Sequence, residues 1–330
     1  MNFKTFEDLS KTVSNNLYKI PSDVDLVVGI PKSGIMVASM IALHLNLPLT
    51  DLDSLESGKI FSSGSTKQRK DWIKDPKEAR KILIVDDSAC SGNTFREAKE
   101  KLKKYKYKNK LIYLVVYVTD NSKDLPDIYF ENCDLPRMFE WNYMHHALLE
   151  KSCVDIDGVL CQDPTEEEND DGEKYIKFIS TVKPRVVPTR KIKYLVTTRL
   201  EKYRKYTEKW LKKNNIQYEQ LIMMDLPSKA ERVKLGNHGK FKGEQYKRLE
   251  DAILFIESNE RQAPVIADVS GKDVFCVDNG KFYKPVIVEQ PPIVQPIEPQ
   301  IQKERKARKI FRKIVPLKVR KGLKKLYKRK

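Results

Sequence analysis

Short apolar runs alternate with amphipathic stretches through the first half of the chain. Asp25–Ile30, Lys81–Val85 and Leu111–Val118 are nearly continuous apolar segments of strand length, and residues 34–45 and 94–105 carry helical spacing between them. Strands covered on both faces read as unbroken apolar runs, so this order predicts a parallel sheet with helices on either side. The pattern restarts near Cys153. Ser152–Ile156, Lys193–Thr197, Gln220–Met224, Ala263–Ala267 and Val274–Val277 are the expected strands there, and residues 201–214 and 242–257 the clearest helices. The expected class is α/β, with two parallel-sheet domains, 1–150 and 151–287, each large enough for its own core. Four prolines between residues 288 and 299 mark an extended linker, assigned to 288–300. Residues 301–330 form a basic tail.

Charge changes the picture only once it is mapped. The net charge is +17, but the segment from Gln302 to Lys330 holds fifteen Lys or Arg and one acid, and so carries +14 of it. The body is nearly balanced, which argues against a nucleic-acid binder basic throughout. Within the tail, Ile310, Phe311, Ile314 and Leu317, then Val319, Leu323, Leu326 and Tyr327, recur at helical spacing among the cations. Such a helix suits an anionic membrane surface, with nucleic acid and a solubilising tail as rivals that the apolar stripe disfavours. Five cysteines without CxxC spacing give no disulfide framework or zinc site. No apolar run reaches the ~20 residues that span a bilayer, and the first residues lack a signal-peptide core. The expected location is the cytoplasm, peripheral to the inner face of the cell membrane.

The sharpest chemical signal is Ile82–Phe95, ILIVDDSACSGNTF. An apolar strand ends in Asp86 and Asp87, and Ser88, Ala89, Cys90, Ser91, Gly92, Asn93 and Thr94 then lead into a helix. Small residues at a helix N-terminus turn backbone N–H groups toward an anion, and Gly92 permits close approach or positive φ. The two acids would repel that anion; they suit the hydroxyls of a sugar, or a magnesium-bound sugar, placed beside it. Upstream, Val27–Gly34 (VVGIPKSG) ends another strand in a small loop with Lys32, Ser33 and Gly34. Both segments resemble the phosphoribosyl-pyrophosphate (PRPP) sites of type I phosphoribosyltransferases. The resemblance implies ribose hydroxyls on Asp86 and Asp87, the 5-phosphate on Ser88–Thr94, pyrophosphate on Lys32–Gly34, and Mg2+ as cofactor. The family more often has Arg where Lys32 stands. A loop between them, Gly58–Trp72, would close over the reacting centre with Lys67, Arg69 and Lys70.

A second signal is Cys153–Cys161, CVDIDGVLC. Asp155 and Asp157 lie two apart after a strand and share a face, and Gly158 turns the chain. One carboxylate can attack phosphorus while the other serves as acid and base, with a divalent cation between them. The DxDG order resembles the haloacid-dehalogenase (HAD) superfamily. That resemblance implies Asp155 as nucleophile and Asp157 as acid–base group. It adds Thr197, or Thr198, from YLVTTR, and Lys242, or Lys240, from the next helix. Asp155, Asp157 and Glu257 would be the metal ligands, with Asp268 as the fallback for Glu257. Residues 161–190 would supply a small cap, and the acids at 166–173 a solvated loop.

Together the halves resemble bimodular ribofuranosyltransferases of bacterial polysaccharide assembly: two Rossmann-like domains, a type I phosphoribosyltransferase and then a HAD-like phosphatase, over residues 20–285. The implied reaction moves 5-phosphoribosyl from PRPP to a glycan hydroxyl, then removes the 5-phosphate to leave a β-ribofuranosyl residue. The implied partners are PRPP, a glycan acceptor carried on a membrane lipid, and the membrane surface. Trp141 and Tyr143 could stack on a sugar or pack the halves together, and His145 or His146 could be an acceptor base or an interface histidine. Two alternatives remain: a nucleobase phosphoribosyltransferase fused to a nucleotidase, and a PRPP-sensing regulator whose tail meets nucleic acid.

Overall fold

A computed structural model of the chain describes residues 1–62, 72–103, 110–286, 309–310, 313–316 and 319. Met1–Pro285 form one compact unit and Val286–Lys330 another. The first unit opens with β1 (Asn2–Lys4) and α1 (Phe6–Asn16). Thr5 and Asp8 start that helix with a reciprocal capping box, which satisfies backbone donors the first turn leaves open. Then come β2 (Leu26–Gly29), α2 (Ser33–Leu45), β3 (Leu49–Asp51), the short α3 (Leu52–Glu56), β4 (Lys81–Ser88), α4 (Asn93–Lys103), β5 (Lys110–Val118), β6 (Ile128–Asn132) and β7 (Arg137–Phe139). Strands β3-β2-β4-β5-β6 form one sheet in that order, and every pairing in it is parallel.

Alternation along each strand fills both faces of this sheet. Val27, Leu83 and Val85 pack with Leu9 and Val13 of α1 and Val37 and Ile41 of α2. Leu26, Val28, Ile82 and Ile84 pack on the opposite side with Phe95, Ala98 and Leu102 of α4. The connection from β2 runs outward to β3, and the chain then crosses back to place β4 on the other side of β2. The C-terminal ends of β2 and β4 therefore flank a topological switch point, where α/β sheets open a crevice.

The second series comprises β8 (Ser152–Val154), α5 (Glu173–Thr181), β9 (Ile192–Leu200), α6 (Arg204–Lys213), β10 (Tyr218–Met224), α7 (Lys229–Leu235), α8 (His238–Arg248), β11 (Leu254–Glu257), α9 (Gln262–Ser270), β12 (Val274–Cys276) and β13 (Lys281–Tyr283). Its sheet has the order β10-β9-β8-β11-β12-β13, with only β13 antiparallel. Here too the first strand of the series is interior, and the switch point lies between β8 and β11. Val154, Leu195 and Ile256 face Trp210 and Leu211 of α6. Cys153, Val196 and Phe255 face Tyr246 of α8 and Ala263 and Ile266 of α9.

Two expected elements are corrected. Ala263–Ala267 is part of helix α9, whose buried positions Ala263, Ile266, Ala267 and Ser270 follow helical spacing. Its Pro264 sits in the first turn, where a missing N–H costs no intrahelical bond. The strand in this region is β11, which falls inside the expected helix 242–257; a short, fully buried apolar run has no period to set it apart.

A two-stranded parallel sheet, β1 with β7, was not legible in the chain. Phe3 of β1 packs on Phe275 and Phe282 of the second series, with ring centroids 4.5 and 5.2 Å away. Tyr143 meets Phe275 edge-on at 5.1 Å, a packing contact between the two series.

In the second unit, Ile310, Ile314 and Val319 are exposed. The linker and the other apolar tail positions (Phe311, Leu317, Leu323, Leu326, Tyr327) lie outside the described residues, as do Lys67, Arg69 and Lys70. No helix among the described residues is long and apolar enough to cross a membrane.

Candidate functional sites

Asp86 and Asp87 lie at the buried end of β4, next to the end of β2. Asp87 is held from two directions. Ser33 at the start of α2 donates to its Oδ1 at 2.8 Å, and the Trp141 indole N–H donates to its Oδ2 at 2.8 Å. Asp86 accepts the Asp87 backbone N–H at 2.9 Å. No Lys or Arg of the described residues pairs with either acid. Burial, then the neighbouring Asp87, pushes the Asp86 carboxyl well above the usual carboxylate range.

Trp141 stacks on Phe139 at 4.8 Å between centroids and 11° between planes, so its ring is part of a packed aromatic group. Gly34 lets α2 approach closely: a Cβ there would stand 2.7 Å from the Val85 carbonyl. Lys32 is exposed at the start of α2, after a cis Pro31–Lys32 peptide bond.

The loop after the acids wraps the start of α4. Gly92 has φ of +72°, and a Cβ on it would stand 2.1 Å from Leu125 Cδ1, so only glycine fits. Ala89 is fixed from both sides: its N–H donates to the Tyr117 carbonyl at 2.9 Å, and its carbonyl accepts from Ser122 at 2.9 Å. Ser88 is half-buried, Cys90, Ser91, Asn93 and Thr94 are exposed, and Arg96 braces the turn by donating to the Ser91 carbonyl at 2.8 Å. Backbone donors and hydroxyls thus surround a recess that suits an anion.

The second site sits at the ends of β8, β9 and β11. Pairing brings Val154 opposite Leu195 and Ile256, so Asp155, Thr197 and Glu257 emerge along one edge. Lys242 of α8, 2% exposed, donates to Asp155 Oδ2 at 2.5 Å and to Glu257 Oε2 at 2.6 Å. Backbone N–H groups take the remaining oxygens: Ile156 donates to Asp155, and Ser258 and Asn259 donate to Glu257. Burial lifts the Asp155 carboxyl, against the opposing charge of Lys242. Burial acts to lower Lys242, but the charges of Asp155 and Glu257 together prevail and raise it.

Asp157 turns elsewhere. The fully buried Arg199 holds it through Nε, 3.0 Å from Oδ2, and Nη2, 2.6 Å from Oδ1. Arg199 in turn touches Thr207 at 3.4 Å and the Cys161 sulfur at 3.5 Å. Thr197 is 1% exposed, and its Oγ1 accepts the Arg199 backbone N–H at 3.3 Å. Gly158, at φ +77°, passes so close to Ser258 that a Cβ would stand 2.1 Å from its Oγ.

The other candidates lie outside this cluster. Lys240 is exposed, Thr198 faces His238, and Asp268 is exposed on α9. Among the acids of the 166–173 loop, Asp170 accepts three backbone N–H bonds at the start of α5, and Asp171 accepts from Lys229 and Tyr203. His145 is exposed beside Thr189, and His146 is partly buried, its Nδ1 accepting the Leu148 N–H.

Among the described residues, no group of three or more His, Cys, Asp or Glu is placed to cage a metal ion. Asp155 and Glu257 converge on Lys242 while Asp157 is committed to Arg199. Asp155 and Glu257 keep the hard oxygen donors that magnesium takes. Arg199 was not among the expected residues, and Trp141, expected to stack on a sugar or pack the halves together, instead donates to Asp87. Arg199 stands two residues past Thr197, so the period of a strand could have signalled it.

Residues 3–148 match the phosphoribosyl transferase domain family, and the N-terminal part of the chain carries a domain of that type. Over 97 residues, 29% of this chain and 46% of the relative, it is 33% identical to the transcriptional regulator GfcR of Methanococcoides burtonii. Over 101 residues, 31% and 48% of the two chains, it is 32% identical to the transcriptional regulator GfcR 2 of Methanosarcina barkeri. The chain spans about half the length of these curated relatives. A purine phosphoribosyltransferase structure from Pyrococcus horikoshii is 19% identical, with 42% of this chain and 92% of that one covered and a TM-score of 0.32. That likeness is too distant to add to the domain assignment.

Proposed function

We propose that the chain is a bifunctional ribofuranosyltransferase. Residues 1–150 transfer 5-phosphoribosyl from PRPP to a glycan hydroxyl, and residues 151–287, a HAD-like phosphatase, hydrolyse the 5-phosphate. Residues 288–300 link these to the basic segment 301–330, which docks on an anionic membrane surface beside a lipid-linked acceptor. The observation that supports this best is the meeting of Asp155 and Glu257 on buried Lys242, beside Thr197, in a chain whose other sheet carries the acid pair and phosphate loop.

In the first step Asp86 and Asp87 hold the ribose hydroxyls, the Ser88–Thr94 N–H groups and hydroxyls hold the 5-phosphate, and Lys32, Ser33 and Gly34 meet pyrophosphate. The bond from C1 to pyrophosphate breaks through an oxocarbenium-like state, and an acceptor oxygen bonds C1 from the opposite face, losing its proton. In the second step an Asp155 oxygen attacks phosphorus and the ribose O5 leaves with a proton from Asp157, which takes that proton up from water on turning away from Arg199. Water then cleaves the aspartyl phosphate. Lys242 offsets charge on Asp155, and Thr197 steadies the phosphoryl oxygens. Asp155 and Glu257 would hold magnesium, joined by Asp157 once it is released from Arg199, and the ion when bound offsets charge on phosphate oxygens.

Mass spectrometry tests this on synthetic glycan acceptors mixed with PRPP, magnesium and the Asp155→Asn protein. A gain of one phosphopentose is expected, converted to a pentose by the unmodified protein. A gain on a nucleobase and on no glycan overturns the acceptor class.

The regulators among the relatives favour a second reading, a PRPP-sensing regulator with a tail for nucleic acid. That reading predicts PRPP binding abolished by Asp87→Asn, no turnover, and no effect of Asp155→Asn.

A further inference from the structure

Residues that follow β6 face the phosphate loop across a cavity of about 260 Å3, with Ser88–Phe95 on one wall and Arg137, Asn142 and His146 on the other. Arg137, on β7, is only 4% exposed. Its Nη1 donates to two neutral carbonyls, Cys133 at 3.1 Å and Tyr117 at 3.5 Å, and its guanidinium lies 5.2 Å from the centre of the Phe139 ring. No acid of the described residues pairs with it. Arg199, equally buried, clamps a carboxylate; Arg137 has only carbonyls and a ring. Burying a guanidinium without a counter-charge is costly, and the cost falls when an anion arrives.

Two neighbours shape the same recess. Asn142 Oδ1 is buried without a hydrogen-bond partner. Turning that amide over presents Nδ2 and its donors instead. His146 accepts the Leu148 N–H on Nδ1 at 3.2 Å, which leaves the ring proton on Nε2 in the neutral form. Burial, then the charge of Arg137, holds its pKa below the ordinary value, so the imidazole adds no competing cation.

We propose that Arg137 is an anion-binding side chain of the first site, receiving phosphate or carboxylate oxygens across the recess from the Ser88–Thr94 loop. This rests on reading that loop as a phosphate cradle. The oxygens come from one of two sources: the 5-phosphate of the donor, or an acidic group on the acceptor. Arg137 lies outside the loop motif, on an element that sequence pattern did not reveal.

Calorimetric titration of the full chain with inorganic phosphate and with ribose 5-phosphate tests this. Arg137→Met keeps the length of the side chain and removes its charge. It is expected to weaken phosphate binding at least about tenfold, and Arg137→Lys to weaken it less. Asn142→Asp leaves Arg137 in place and sets an acid in the recess, so it weakens phosphate binding even if Arg137→Met fails to fold.

The arms separate the sources. Loss of ribose 5-phosphate affinity in Arg137→Met assigns the donor phosphate. Unchanged ribose 5-phosphate affinity, with loss of inorganic phosphate binding to the sugar-saturated protein, assigns the acceptor's acid. A folded Arg137→Met protein within about twofold of wild-type binding overturns the role of Arg137, whatever Asn142→Asp does, and leaves the loop reading intact. A wild-type protein that binds neither probe at millimolar concentration overturns both.

Discussion

The two acidic sites occupy equivalent places in two sheets, yet they handle charge in opposite ways. Among the described residues, Asp86 and Asp87 meet only hydrogen-bond donors without net charge: a hydroxyl, an indole and a backbone N–H. Asp155, Asp157 and Glu257 meet Lys242 or Arg199, both buried. Two buried carboxylates without a cation cannot both ionise cheaply, so the first pair holds a proton that its partners do not displace. The second site sets two buried cations against three carboxylates. The contrast separates an acid pair left without a cation among the described residues from a site whose charges also brace the fold.

The largest effects should come from breaking this division. Asp155→Asn is expected to slow removal of the 5-phosphate at least about a thousandfold, with the phosphorylated product accumulating, while transfer stays within about twofold. Asp87→Asn should do the reverse, abolishing pyrophosphate release and sparing phosphatase activity on a phosphoribosyl product. If either substitution stops both reactions in folded protein, the two sites do not work independently.

Next in size is Lys242→Met, which strands two buried carboxylates. A loss of about 3–5 kcal/mol is expected in urea unfolding. A loss under about 1 kcal/mol would mean that Lys242 braces nothing.

Trp141→Phe keeps the stack on Phe139 and deletes the donor to Asp87. About 1–2 kcal/mol, roughly five- to thirtyfold in PRPP affinity, is expected in a binding titration. Unchanged affinity would reduce Trp141 to packing.

The smallest effect has the most informative sign. The unfolded chain releases the Asp86 proton near pH 4, and the folded chain releases it only at higher pH. Between those values the folded state binds more protons, so stability of the ligand-free protein falls as pH rises. Asp86→Asn should flatten that fall between about pH 5 and about pH 8 and leave the variant the more stable protein at the upper end. Thermal melts in which the variant is no more stable than the wild type at the upper pH would place the excess proton elsewhere.

What was legible in the chain was local. A run of apolar residues that ends in acids, followed by glycine and hydroxyl residues, can be read without knowing its neighbours. Ile82–Phe95 is of that kind, Cys153–Cys161 shares its apolar run, acids and glycine without the hydroxyls, and both lie at switch points in the fold. Glu257 could be singled out, but its strand was hidden in an apolar stretch without period. Ala263–Ala267 had a strand's composition and a helix's spacing. Trp141 and Asp87 are 54 residues apart, and Arg199 and Asp157 are 42 apart. Such contacts depend on which strand lies beside which, information that spacing along the chain does not carry. The isolated cation Arg137 was hidden for the same reason, since isolation is a property of the surroundings.

Gly34 has a further consequence. Because a Cβ there would stand 2.7 Å from the Val85 carbonyl and 3.1 Å from Asp86 Oδ1, the start of α2 rests directly on the backbone of β4. Gly29, at the end of β2, allows the same helix start to close on its own strand, where a Cβ would stand 2.5 Å from Ile35 Cα. The width of the crevice between the two loops is therefore gauged by main chain against main chain. Repacking the core around it cannot retune that width, and any ligand that bridges the loops is measured against a fixed caliper.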